Sequence, residues 1–275
     1  MGGYARPDRM QDVLALMASG PHRLLAGGTD VYPQAGAGLS GDVIDLAALP
    51  GLSGIVQGSG LRIGALTTWS DLCRAPLPPA LLALQQAARQ VGGRQIQNVA
   101  TIGGNLCNAS PAADGVPPLL VLDALVELQS ASGHRTLPLA DFIQGPRKTA
   151  LRSGELLTAI VIPETSLNGG SAFVKLGARA YLVISIAMVA ARVAVHEGKI
   201  ASAAIAVGAC AGTARRLTDV EAALIGASPR DVCEVVTEVS MARALAPIDD
   251  SRATADYRTT AAAELVRRAV LGAMA

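Results

Sequence analysis

Thr101, Gly103, Gly104, Asn105, Asn108, Ser110 and Asp114 crowd into one stretch of this 275-residue chain, set among small apolar residues. Such a run lets the backbone approach a ligand closely while short polar groups face it. Asp114 adds a single carboxylate, which suits a ribose or another hydroxyl better than a phosphate. As plain structure, the same run is a Gly/Asn loop between two strands. Earlier in the chain Ala26-Gly27-Gly28-Thr29-Asp30 follows an apolar segment. Consecutive backbone N–H groups in a Gly-Gly turn after a strand can converge on a phosphate oxygen. The spacing does not match the dinucleotide fingerprint of doubly wound folds, because no third glycine falls at the required place.

Other chemistries find little support. Cys73, Cys107, Cys210 and Cys233 lie far apart with no C-x-x-C pair, so they are expected to be ordinary buried thiols. His22, His134 and His196 are scattered without a neighbour at ligand spacing, which leaves no metal or His-based centre in view. A net charge of +1 with interleaved acids and bases gives no footprint for nucleic acid or a membrane surface. The most apolar run, 181–191, is too short to cross a bilayer. The start Met-Gly-Gly-Tyr-Ala-Arg-Pro has no apolar segment behind a basic one, and position 6 is Arg where a myristoylation signal has Ser or Thr. These features lead to the expectation of a cytoplasmic protein.

The elements that must position the polar stretches follow from periodicity. Met10, Val13, Leu14 and Met17 predict a helix that starts after Pro7-Asp8 and stops at Gly20. Strands are expected at 22–26 and 42–46, and a hairpin at 54–57 and 61–65 around Gly58-Ser59-Gly60. Thr68 caps a short helix, Pro78-Pro79 opens a longer one through Gln90, and a further helix spans 117–123. Strands follow at 125–129, 135–138 and 155–163. Beyond a polar boundary at 165–170, segments 172–176, 184–195 and 200–208 form a three-stranded antiparallel meander. Helices at 218–225, 231–244 and 254–274 complete an α+β unit. With 51% hydrophobic but only 3% aromatic residues, the cores must be built from Ala, Val, Leu and Ile.

Leu25-Ala-Gly-Gly-Thr-Asp30 and Thr101-Ile-Gly-Gly-Asn-x-x-Asn-Ala-Ser-Pro-x-x-Asp114, with Ala172-Phe-Val-Lys-Leu-Gly-Ala-Arg179 and Tyr257-Arg258 farther on, together resemble the FAD-binding subunit of the molybdenum hydroxylases. This is the xanthine dehydrogenase and carbon monoxide dehydrogenase family, whose flavin fold is of the p-cresol methylhydroxylase (PCMH) type. The resemblance implies an α+β chain in three parts: FAD-binding subdomains at 1–55 and 56–165, and a C-terminal domain at 171–275 with a three-stranded sheet and helices. It implies that Leu25, Ala26, Gly27, Gly28, Thr29 and Asp30 wrap the FAD pyrophosphate, largely through backbone N–H groups. Thr101, Ile102, Gly103, Gly104, Asn105, Ser110 and Asp114 would hold the rest of the cofactor, and Lys175 would stand near the flavin ring. Relatives carry an acid where this chain has Val183, so Ile184 would face a less polar ring edge. As plain structure, Ile184 instead opens a buried strand.

Partners are then required. The resemblance implies a large subunit with the molybdenum cofactor and a small subunit with [2Fe–2S] clusters, arranged as a dimer of heterotrimers. Electrons would pass through FAD to NAD, a quinone or oxygen. Two other readings stay open on sequence alone: a self-contained flavin oxidase of the same superfamily, and a nucleotide-binding module without redox activity.

Overall fold

The computed structural model describes residues 2–36 and 38–275. Strand β1 (Tyr4–Ala5), helix α1 (Met10–Ser19) and strands β2 (His22–Leu25) and β3 (Asp42–Asp45) form a first small unit. Its sheet is parallel with β3 in the middle. Val13 of α1 packs with Ile44, Leu46, Leu49 and Leu52, so the helix covers one face of this sheet. The two-residue β1 is too short to show a sequence pattern.

The next segment is built on an antiparallel hairpin, β4 (Ile55–Gly58) and β5 (Gly60–Gly64), and five helices follow it. These are α2 (Trp69–Arg74), α3 (Leu82–Gln90), α4 (Arg94–Gln97), α5 (Ile102–Asn108) and α6 (Val116–Val121). Then come β6 (Leu125–Ser130), β7 (Gly133–Pro138), α7 (Leu139–Phe142), a small hairpin of β8 (Ile143–Gly145) and β9 (Lys148–Thr149), and β10 (Leu156–Pro163). The large sheet runs β4-β5-β10-β6-β7. The strand that comes last in the chain is central: Ile160 lies opposite Ile63 of β5 and Val126 of β6. That explains the near-continuous apolar run of β10, which is buried along most of its length.

Helix α2 starts where Thr68 and Asp71 cap each other, with the Asp71 N–H donating to Thr68 Oγ1 at 3.2 Å and the Thr68 N–H to Asp71 Oδ2 at 3.1 Å. Thr68→Ala is expected to cost about 1 kcal/mol, lowering the melting temperature by about 2–4 °C in scanning calorimetry. The cap also matters for the site, because Thr68 pairs with Thr101, the N-cap of α5. Trp69 donates to the Ala100 carbonyl at 3.2 Å and Ile102 to the Thr67 carbonyl at 3.0 Å, so α2 and α5 begin side by side.

In the C-terminal part β11 (Gly170–Leu176), β12 (Ala187–His196) and β13 (Lys199–Gly208) make the meander, and β14 (Arg215–Arg216) adds a short strand to its edge. Helices α8 (Thr218–Ala223), α9 (Val232–Val235), α10 (Glu238–Ala244) and α11 (Ala255–Met274) complete it. Ala262, Val266, Ala269 and Ala273 of α11 are buried with Ala187 and Ala191, small side chains that let helix and sheet come close. Segment 231–244 is two helices rather than one: Thr237 interrupts it and caps α10 through the Ser240 N–H. Ile184 does not open a strand either. The pairing starts at Ala187, and Ile184 is 61% exposed.

Helix α3 fastens the two halves. Ser171 of β11 accepts from the Ala83 N–H at 2.9 Å and donates to the Pro79 carbonyl at 3.0 Å, and Gln86 accepts from the Phe173 N–H at 2.7 Å. At the far end of α6, Asp123 meets Arg216 at 2.7 Å and Arg192 at 3.2 Å.

Candidate functional site: a trench joining two glycine pairs

The first glycine pair ends β2. Among the described residues, the N–H groups of Gly27, Gly28 and Thr29 have no partner in the chain, while the Gly28 carbonyl accepts from Tyr32 at 2.9 Å. Gly28 sits at φ +72°, where a side chain is strained. A Cβ on Gly27 would collide with the Val99 carbonyl, so this turn lies directly on the backbone that leads into the second motif. Only glycine permits that approach.

The second motif is a helix, not a loop. Thr101 caps α5, and every first-turn N–H is used: Ile102 to Thr67 O, Gly103 to Ala65 O at 2.9 Å, Gly104 to Thr101 Oγ1 at 3.1 Å and Asn105 to Thr101 O at 3.0 Å. The two glycine pairs therefore differ in what they can offer. The first has free backbone donors; the second must contribute side chains and space. Gly103 is pressed against Ala65, where a Cβ would stand 2.7 Å from its neighbour, whereas a Cβ on Gly104 would meet nothing but Thr101 Oγ1.

One cavity of about 470 Å³ is lined by both motifs, including Ala26, Gly27, Gly28, Thr29 and Asp30 from the first and Thr101, Gly104, Asn105, Cys107 and Asn108 from the second. It shares Asp30, Ile96, Asn105 and Asn108 with a second cavity of about 410 Å³ that also takes in Ser110, Asp114, Arg147 and Ile184. Gly92, Leu182 and Val183 continue it into a third of about 420 Å³ beside Lys175. The result is one long trench. Asn108 bridges it, donating from Nδ2 to Asp30 Oδ1 at 2.7 Å and receiving Arg147 on its own carbonyl and side-chain oxygens. Among the described residues, Asn105 Oδ1 is buried without a partner.

Several residues expected to bind a ligand do other work. Leu25 and Ile102 are buried, and Gly103 is pressed against Ala65. Asp114 is not an open ribose acceptor. Its Oδ2 pairs with Lys175 Nζ at 2.6 Å and its Oδ1 accepts from Ser185 Oγ at 2.6 Å, with the Asp114 and Lys175 side chains only 9% and 6% exposed. Burial pushes the Asp114 carboxyl above its ordinary pKa, while Lys175 and Ser185 hold it back. Lys175 is spoken for as well, since it also donates to the Gln90 carbonyl at 3.3 Å. The expectation of four buried thiols fails for Cys107 and Cys233, both exposed.

Residues 1–165 match the family described as the FAD binding domain in molybdopterin dehydrogenase, and residues 172–273 the CO dehydrogenase flavoprotein C-terminal domain. The chain belongs to this family of FAD-dependent oxidoreductase subunits. It is 33% identical to the xanthine dehydrogenase FAD-binding subunit of Escherichia coli O157:H7, over 99% of this chain and 96% of the relative. Its identity to the carbon monoxide dehydrogenase medium chain of Afipia carboxidovorans is also 33%, over 97% and 94%. The structure of reconstituted CO dehydrogenase from Oligotropha carboxidovorans superposes with a TM-score of 0.91 at 30% identity, covering 100% of this chain and 98% of that one.

The trench agrees with that family's cofactor. A dinucleotide is long and carries a pyrophosphate that needs donors. None of the three histidines lines the trench, so a histidyl flavin link finds no residue there. Among the described residues, no helix is long and apolar enough to cross a membrane. The sequence does not point to the roles of Arg147 and Ser185. Arg147 comes from the β8–β9 turn, where Gly145-Pro146 signals a turn but not its destination, and Ser185 reads as one polar residue in an apolar run.

Proposed function

We propose that this chain is the electron-transfer subunit of a molybdenum hydroxylase. A large partner chain with the molybdenum cofactor would oxidise the substrate, and a small partner chain with [2Fe–2S] clusters would relay the electrons. The assembly would be a cytoplasmic dimer of heterotrimers. FAD held here would supply the redox chemistry that passes electrons from the clusters to an external acceptor: NAD, a quinone or oxygen. The observation that supports this is the single trench lined by both glycine motifs.

Within it, the N–H groups of Gly27, Gly28 and Thr29 hold the pyrophosphate, with Ala26 and Asp30 completing the turn. Thr101 and Gly104 leave room for backbone approach, and Asn105 and Ser110 bond the hydroxyl-bearing chain. Leu25, Ile102 and Gly103 support these groups from the core. Lys175 and Asp114 stand at the far end with Ile184, which gives the flavin end an apolar neighbour and a neutralised pair instead of a free charge. The division at 1–55, 56–165 and 171–275 places the two motifs on separate subdomains that grip one ligand.

Native purification of the complex tests this. The expected result is three kinds of chain, one FAD per copy of this one, and molybdenum and iron on the others. Mixing the reduced complex with each acceptor in stopped flow then ranks NAD, a quinone and oxygen by reoxidation rate. A purified chain that stays colourless and refuses FAD on reconstitution overturns the proposal.

A further inference from the structure

The buried Asp114 has a role that its place in a ligand-binding motif conceals. Its two partners, Lys175 and Ser185, sit at opposite ends of a single loop, residues 177–184, between β11 and β12. Both ends of the loop are thus tied to one carboxylate, which itself lies between α5 and α6. The loop's base is closed by the Ile186 N–H donating to the Leu176 carbonyl at 2.8 Å.

Beyond these ties the loop has little to hold it. Tyr181 is 81% exposed, Leu182 is exposed at φ +52°, and the polar contact within the tip runs from Arg179 Nη2 to the Leu182 carbonyl at 2.6 Å. Yet Leu182 and Val183 line both cavities at the far end of the trench, and Ile184 lines one of them. A segment with few buried contacts keeps its shape only as well as its anchors do.

We propose that Asp114 is a two-ended clamp that holds loop 177–184 in place as one wall of the trench, and that Ser185 is a positioning residue acting through it. The flavin half of this rests on the trench being the FAD site; the clamp itself does not. Charge-assisted hydrogen bonds are the stronger ones, and a buried carboxylate that loses one donor is left partly unsatisfied. Ser185→Ala removes one end of the clamp and leaves the Lys175 pair intact.

Hydrogen exchange on the flavin-free full chain is the direct test. In Ser185→Ala, amides of residues 177–184 are expected to exchange about tenfold faster than in the unsubstituted chain, while β12 and β13 keep their protection. In the FAD-loaded chain the same substitution is expected to raise iodide quenching of flavin fluorescence about twofold or more, as the exposed loop loses its fixed position. Unchanged exchange in the loop overturns the clamp. Faster exchange with unchanged quenching upholds the clamp and overturns the loop's place beside the flavin. If Ser185→Ala fails to fold, the double variant Lys175→Met/Asp114→Asn releases the other end without stranding a buried charge and is read in the same two ways.

Discussion

Gly104→Val is expected to give a folded chain that purifies without FAD. The added Cβ meets only Thr101 Oγ1, at 2.9 Å, and otherwise projects into the trench. Replacing glycine in a helix recovers about 0.4 kcal/mol of propensity, and disturbing the Thr101 cap costs about 1 kcal/mol. These nearly cancel, so the melting temperature should move by about 3 °C or less. The two methyl groups, in contrast, occupy space in the cavity that Gly104 lines together with the first motif. Overpacking a filled site costs up to about 3 kcal/mol, about a hundredfold in affinity. The FAD-to-protein ratio after purification and a titration with added FAD measure it, and normal flavin content would remove Gly104 from the site. Gly27→Ala supplies the contrast: its Cβ strikes the Val99 backbone, so it should lower stability and flavin content together.

That contrast marks how far the sequence could be read. Both glycine pairs are legible in the sequence as places for close approach, but the cavity that joins the two motifs is seen only in the structure. What the sequence does not show is what each glycine is for. Gly27 and Gly103 are required by neighbours distant in sequence, Val99 and Ala65, whereas Gly104 faces open space. Helix α5 was hidden for a related reason. Gly-Gly-Asn in a seven-residue segment argues against a helix by propensity, but Thr101 and the carbonyls of Ala65 and Thr67 satisfy its first turn and override that. Asp114 shows the same limit in its charge. A short polar residue in a glycine-rich run looks available, and only Lys175 of β11 and Ser185 from the loop leading into β12, brought in from the C-terminal part, reveal that both its oxygens are engaged.

Lys175→Met is expected to cost more stability than any surface substitution, and to do so in a pH-dependent way. Removing one partner of a buried pair leaves an uncompensated charge, a loss of about 3–5 kcal/mol. Burial already holds the Asp114 pKa above its ordinary value, so the folded chain binds this proton more tightly than the unfolded chain. Stability from such a group is greatest below the unfolded pKa and falls as pH rises through the folded one. Without Lys175 the folded pKa rises further, and the window over which stability falls extends upward. The deficit against wild type should therefore be largest near about pH 8 and shrink toward about pH 5, as Asp114 takes up a proton. Denaturant melts at the two pH values measure it. Adding Asp114→Asn to Lys175→Met removes the stranded charge and should restore part of the loss, leaving a non-additive cycle. A deficit of equal size at both pH values, with no recovery in the double variant, would mean that the pair is open to water. The clamp on loop 177–184 would then lack the low-dielectric setting that makes two short contacts sufficient to hold it.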